Sequence, residues 1–329
     1  MNLVARIATL LVVTFFVSAT CAETGMVGVP SGYPAKAVRI IVPYPPGGMD
    51  VIARLIADRL SESLGTSIHV ENLPGASGTI GTGAAANAPA DGSTMLVINQ
   101  DFVIQSSIRT KIPYHPLNSF TPVTLIATAP EMILVHPPLP AQNMRELLAL
   151  LKASPGKYSY ATPGYGTSPH LAVERLFRLS YSLDAVHVPF QGAGPAITST
   201  IAGHTQILHI TMPLVAQHIK GGTLRALAVA SADRSPAFPD VPTLEEAGVP
   251  DHEVGFWMGI VVPAGTPSEV IDTLQRHTAS VVALPVVKGR LTTLGMSPVA
   301  SNSEEFAAHI KVELAKWSRV VRDAGLKID

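Results

Sequence analysis

Short apolar runs of strand character alternate with amphipathic helical patterns almost to the end of the chain, and no other feature restricts the fold as strongly. Such alternation builds largely parallel sheets covered by helices on both faces, so the expected fold class is α/β. Strands are predicted at residues 38–42, 67–71, 94–99, 132–136, 158–162, 185–190, 207–211, 224–230 and 256–262. After the first of these, Val51, Ile52, Leu55, Ile56 and Leu60 mark one face of a helix, with Asp50 as its N-cap. Ser168 as N-cap with Pro169 at the first position announces a second helix, continued by Leu171, Leu176 and Leu179; Pro195 opens a third, which Gly203 ends. From about Ser303, the residues Phe306, Ile310, Leu314, Trp317 and Val321 recur at three- and four-residue steps. The last helix therefore has a buried face and closes a domain.

Ahead of the first strand stand Arg6, an apolar run over residues 7–17 too short to span a bilayer, and the small residues Ser18, Ala19 and Ala22. They read as a cleaved secretory signal over residues 1–22, with a lipid anchor at Cys21 as the alternative. Cleavage after Ala22 removes the only cysteine, leaving no disulfide, thiolate nucleophile or cysteine metal site in the exported chain. With 329 residues, 47% of them hydrophobic and 14% charged, the chain can form two domains and is too apolar for disorder. A formal charge of -1 without a basic cluster speaks against a nucleic-acid partner, which requires grouped Lys and Arg.

Three strand-to-helix corners are rich in glycine and proline: PYPPGGMD at residues 43–50, TPGYGTS at 162–168 and FQGAGP at 190–195. At such corners the first helical N–H groups lack intrahelical partners and face the carboxyl edge of the sheet, a ready site for an anion. None of the three contains Lys or Arg, so backbone dipoles and shape are expected to hold the guest. One helix N-terminus contributes roughly 0.3–1 kcal/mol to an anion, about 2 kcal/mol when partly buried, so tight binding requires several to converge. Glycine and proline also serve these turns for purely conformational reasons, and a single corner decides nothing.

Other candidates weigh less. The glycine-rich stretch at residues 75–83 lacks a phosphate-loop Lys, and no strand runs directly into Gly81, Gly83 and Ala86; it reads as a loop bordering the cleft. Ser77 sits in G-A-S-G and not in a nucleophile elbow. His204 and His209 lack the one-turn spacing of a helical metal pair, so neither metal nor cofactor is expected. His170 fits a packing or hydrogen-bonding residue at a helix start better than a general base.

The order of motifs resembles the Bug or TctC-like family, the periplasmic solute-binding proteins of tripartite tricarboxylate transporters. The matching pieces are YPAKAVRIIVPYPPGG at residues 33–48, VENLPGASGTIG at 70–81, ADGSTML at 90–96 and YATPGYGTSPHLA at 160–172. VPFQGAGPAI at 188–197, LRALAVASADRSPAFPDVPTLEEAG at 224–248, PAGTP at 263–267 and AKWSRVVRDAGL at 315–326 complete the set. The resemblance implies a type II periplasmic binding-protein fold: two α/β lobes joined by a hinge of crossing strands, closing on a ligand in the cleft between them. Residues 23–126 and 254–329 are expected to form lobe one, and residues 127–253 lobe two. The implied ligand is a small carboxylate, and the implied partners are the membrane subunits of a tripartite tricarboxylate transporter. On lobe one the resemblance implies ligand contacts at Tyr44, Pro45, Pro46, Gly47, Gly48, Met49, Ser77 and Gln100. On lobe two it implies Gly166, Thr167, Ser168, His170, Gln191, Gly192 and Ala193.

The chain departs from the family pattern in places. Only Met49 separates Gly48 from Asp50, where the family usually has two residues; Gln206 stands where Asp is frequent, and Tyr165 where a small residue is common. With Tyr44, Phe102 and Phe190, Tyr165 suggests room for an aromatic or bulky carboxylate. Two rival functions share the cleft. One is a ligand-sensing subunit for a signalling receptor; the other is an α/β enzyme, for which the corners supply no nucleophile, base or metal set.

Overall fold

The computed structural model describes Tyr33 and residues 37–328; the expected signal at residues 1–22, with Cys21, lies outside the described residues. Strand β1 (Val38–Val42) runs into α1 (Gly48–Leu64), followed by β2 (Ile68–Asn72), α2 (Thr79–Ala86), β3 (Thr94–Ile98) and α3 (Asp101–Ile108). β1 pairs in parallel with both β2 and β3, and as a central strand it reads as an apolar run interrupted only by Arg39. Next comes β4 (Phe120–Val135), then α4 (Met144–Ala153), β5 (Ser159–Thr162), α5 (Ser168–Val173), β6 (Val186–Pro189) and α6 (Ala193–Ile201). β7 (Ile207–Thr211), α7 (Ala216–Lys220) and β8 (Arg225–Val229) precede the return through β9 (Gly255–Pro263), α8 (Ser268–Ala283), α9 (Pro285–Thr293), β10 (Ser297–Pro298) and α10 (Ser303–Ala324).

The strands are ordered β2-β1-β3-β9-β4-β7-β5-β6, and β8 and β10 also pair with β4. β4 joins the two lobes of this mixed α/β fold. Its residues 120–130 pair antiparallel with β9, its residues 131–135 with β7 and its residues 132–135 with β8, both again antiparallel. On one side Ile52, Ile56 and Leu60 of α1 pack with Ile40 and Val42 of β1; on the other Ala196 and Ile197 of α6 pack with Leu208 and Ile210 of β7. Each fully buried Ile, Leu or Val side chain among these contributes roughly 1.5–3 kcal/mol. α10 has the buried face its spacing implies, with Phe306, Ile310, Trp317 and Val321 buried, and a capping box between Asn302 and Glu305. Among the described residues no helix is long and apolar enough to cross a membrane.

Several local expectations are corrected. Asp50 is not the N-cap of α1: the helix starts at Gly48 behind Gly47, and Asp50 is a buried first-turn residue paired with Arg54 at 3.0 Å. The N-cap of α5 is Thr167, one residue before Ser168, and α6 starts at Ala193, two residues before Pro195. Only the first part of the stretch at 75–83 is a loop, because α2 begins at Thr79. Its glycines serve packing, since a Cβ on Gly81 would sit 2.6 Å from the Leu73 carbonyl oxygen. The strand predicted at 132–136 is only the end of β4. Pro122 and Pro130 disguise the rest, and the register shifts near Pro122 accommodate the break in pairing. Phe102 does not reach the cleft. It lies in the core, stacked on Tyr114 with ring centroids 5.3 Å apart.

Candidate functional site

On lobe one the turn from β1 to α1 leaves residues 45–48 exposed, and no side chain caps the start of α1. The turn is held from behind by Tyr44. Its hydroxyl donates to Asn99 Oδ1 at 2.8 Å and approaches Asp101 Oδ2 at 3.4 Å, while Asn72 Nδ2 donates to the Tyr44 carbonyl at 3.1 Å. Arg54 donates to Asn72 Oδ1 at 3.0 Å and holds the Asp50 carboxyl below the usual carboxylate range. Asp50 is thereby neutralised at the helix start, where a free negative charge would repel a carboxylate guest. Ser77 is in the short 3₁₀ turn Ala76–Gly78 that approaches the Tyr44 ring. Both Ala76 (φ 48) and Ser77 (φ 54) are in the left-handed region, which costs roughly 1–2 kcal/mol for each L-residue.

On lobe two the two corners are tied together. The Phe190 N–H donates to the Thr162 carbonyl at 3.0 Å and the Gly192 N–H to the Pro163 carbonyl at 2.9 Å, while the Thr167 hydroxyl donates to the Gly164 carbonyl at 2.8 Å. Gly192, with φ 111, precedes α6, whose start again has no side-chain cap; Gln191 and Gly194 are exposed. His170 is buried and accepts the Gly166 N–H on Nδ1 at 3.1 Å. Its ring stacks on His187 with centroids 4.0 Å apart, and Tyr165 and Tyr160 flank the pair. Burial, and secondarily His187, push the His170 imidazole down to about 3, so it is a neutral acceptor near pH 7.

The lobes meet on a buried polar floor. Glu131, where β4 passes from β9 to β7, accepts from Gln100 Nε2 at 3.2 Å and from the Ser168 hydroxyl at 3.1 Å on one carboxylate oxygen. Its other oxygen is 3.2 Å from His209 Nδ1. Gln105 Nε2 donates to the Gly166 carbonyl at 3.1 Å. The Asp101 carboxyl is pushed up to about 6, chiefly by burial and also by Glu131, against the opposing hydrogen bond from Ser168.

Of the sequence-predicted residues, the structure therefore joins Gln100 to Ser168 through Glu131, links Gly166 to His170, and ties the turn at 162–168 to that at 190–193. Tyr44 stands beside the turn carrying Ser77. Residues 45–49 and 191–193 share no hydrogen bond with each other among the described residues. Sequence reasoning missed Asn99, Asp101, Glu131 and His209. The run Asn-Gln-Asp at the end of β3, and one acid inside the apolar strand β4, were the available signals. Among the described residues no group of three or more His, Cys, Asp or Glu could hold a metal ion.

A family model described as the tripartite tricarboxylate transporter family receptor, TctC, matches residues 52–326. Protein BugT of Bordetella pertussis is 36% identical over 299 residues, covering 90% of this chain and 91% of BugT. Among solved structures, the periplasmic binding protein BugD is 32% identical with a TM-score of 0.79, over 90% of this chain and 99% of BugD. Rpa4515 of R. palustris, solved with adipate, is 30% identical with a TM-score of 0.81, over 90% of this chain and 99% of Rpa4515.

Proposed function

This chain belongs to the tripartite tricarboxylate transporter receptor family, TctC, and from that premise we propose that it captures a small carboxylate by lobe closure and delivers it to the membrane subunits of such a transporter. Its relative BugD is a periplasmic binding protein. The observation that carries the reading is a pair of exposed, glycine-preceded helix starts, α1 and α6, one on each lobe and neither capped by a side chain. Free backbone N–H groups on both lobes favour a ligand with negative charge, and the adipate held by a 30% identical relative supports a carboxylate.

In this reading lobe one spans residues 23–126 and 254–329, lobe two spans 127–253, and the exported chain works in the periplasm after losing residues 1–22. Residues 44–49, Ser77, Gln100, residues 166–168, His170 and residues 191–193 form the ligand-contact set. Closure is a population shift, since the guest gains contacts from both lobes that the open form cannot offer together.

A thermal-shift screen of aliphatic and aromatic carboxylates, starting with adipate, tests the capture step. A ligand at about 100 times its dissociation constant stabilises the folded state by roughly 2.7 kcal/mol. Shifts from neutral solutes with none from carboxylates would refute the reading. Delivery predicts that deleting the gene abolishes uptake of the carboxylate so identified.

A further inference from the structure

Glu131 stands where β4 passes between the lobes, and its backbone is part of a closed ring of hydrogen bonds. The Ala230 N–H donates to the Glu131 carbonyl at 2.8 Å, the Val254 N–H to the Ala230 carbonyl at 2.9 Å, and the Glu131 N–H to the Val254 carbonyl at 3.4 Å. Its side chain, fully buried, gathers donors from both sides of this crossing. Gln100 Nε2 from lobe one and the Ser168 hydroxyl from lobe two donate to the same carboxylate oxygen, at 3.2 and 3.1 Å. The other oxygen is 3.2 Å from His209 Nδ1 on β7. Gln100 is held at both ends of its amide, since its Oε1 accepts the Trp257 N–H of β9 at 3.3 Å. A buried carboxylate in an apolar strand is costly unless its partners satisfy it, and here two of the partners belong to the proposed ligand-contact set, one from each lobe.

We propose that Glu131 is a positioning residue of the carboxylate site, acting through Gln100 and Ser168 and setting the residue before α3 and the first residue of α5 in one arrangement across the lobe junction. The proposal rests on the capture reading above. A guest that meets both residues already fixed does not have to order them, and the ordering of each such side chain would otherwise be subtracted from affinity. The Ser168 hydroxyl has a single proton, committed to Glu131, so its orientation is set as well. Because one oxygen serves both donors, loss of either donor leaves the other in place, whereas loss of the oxygen releases residues of both lobes together. The position of that oxygen, and not the negative charge it carries, is what the site requires. A shorter acid therefore fails where a neutral amide of the same length succeeds.

Calorimetric titration of the exported chain with adipate, or with the carboxylate that gives the largest shift in the screen, tests the assignment, and chemical denaturation of the same variants runs beside it. Glu131→Asp draws the acceptor back from both donors and is expected to weaken binding about tenfold, whereas Glu131→Gln retains an oxygen within their reach and should stay within about threefold of the parent. Ser168→Ala alone should weaken binding about threefold and add almost nothing on the Glu131→Asp background, because its hydroxyl acts through the withdrawn oxygen. Glu131→Gln binding as poorly as Glu131→Asp would overturn the proposal, and so would Glu131→Asp and Ser168→Ala losses that simply multiply. Glu131→Asp with a lowered denaturation midpoint but the parent's affinity would reduce the acid to a purely structural role and overturn it equally. Each of these outcomes refutes the positioning role alone, since the parent still binds. Failure of every carboxylate to bind the parent refutes the capture reading, and the positioning role with it.

Discussion

The turns of the two lobes use the same backbone device but are braced by different chemistry. The lobe-one turn rests on a phenol and two amides, through Tyr44, Asn99 and Asn72. The lobe-two turn rests on an imidazole, with His170 accepting the Gly166 N–H and stacked on His187. Neutral hydroxyl and amide partners keep their roles at any pH the protein meets. An imidazole accepts on Nδ1 only while that nitrogen is unprotonated. Lobe two thus braces its turn with an imidazole that acid can disable, while the lobe-one turn, with Ala76 and Ser77 in the left-handed region, carries backbone strain.

The largest effect is expected where glycine lets a helix press against the lobe-one turn. A Cβ at Gly81 meets the Leu73 carbonyl oxygen at 2.6 Å and Pro43 Cα at 3.0 Å, both backbone atoms that cannot swing away. Gly81→Ala should cost about 3 kcal/mol in chemical denaturation, at the upper end for overpacking. At the tip of the lobe-two turn Gly194 has nothing within 4 Å, and Gly194→Ala should stay within about 0.5 kcal/mol of the parent. If that methyl leaves carboxylate affinity as well as stability unchanged, the start of α6 does not meet the guest.

Next in size comes the brace itself. His170→Phe leaves the buried Gly166 N–H without its acceptor and should cost roughly 1–3 kcal/mol, whereas Tyr44→Phe should cost about 0.5–1.5 kcal/mol. The two should also separate with pH. The folded-state pKa of His170 is depressed to about 3, below the unfolded value near 6.5, so its contribution is complete above the latter. It fades as pH falls through that interval toward 3. The stability gap between the parent and His170→Phe should narrow across the same interval, while the gap to Tyr44→Phe follows the Asp101 carboxyl beside that hydroxyl, which titrates at about 6. Parallel gaps would remove the distinction between the lobes.

These contrasts also mark how far the sequence could be read. Strands such as β1 and β7 are continuous apolar runs whose identity is local, and their predicted bounds coincide with the observed ones. The first part of β4 is legible only once its partner β9 is known, because Pro122 and Pro130 contradict a central strand until the antiparallel pairing explains them. Helix starts moved by one to three residues for a similar reason. Ser168, Asp50 and Pro195 each look like start signals, but glycine or an uncapped threonine already supplies the extended residue before the helix. The glycine corners could be found because each is a contiguous motif. The floor joining them was hidden, since Glu131 meets Gln100 and Ser168 from 31 and 37 residues away. Only the folded chain brings this acid together with the amide and the hydroxyl.

The smallest effect concerns strain and carries the sharpest sign. Lobe two fills its left-handed turn positions with Gly164, Gly166 and Gly192, whereas lobe one fills one of its own with Ser77 at φ 54. Ser77→Gly relieves roughly 1–2 kcal/mol of left-handed strain and restores about 0.4–1 kcal/mol of unfolded-chain entropy that opposes folding. A net gain of about 0.5–1 kcal/mol should follow, visible as a higher denaturation midpoint with an unchanged slope. Ser77 is also in the proposed ligand-contact set, so the same substitution should weaken carboxylate binding. Stability and affinity would then move in opposite directions at one residue, the signature of strain retained to hold a hydroxyl at the cleft. A destabilised Ser77→Gly protein would mean that the serine side chain supports the fold, and lobe one would then store no strain at this residue on behalf of its ligand.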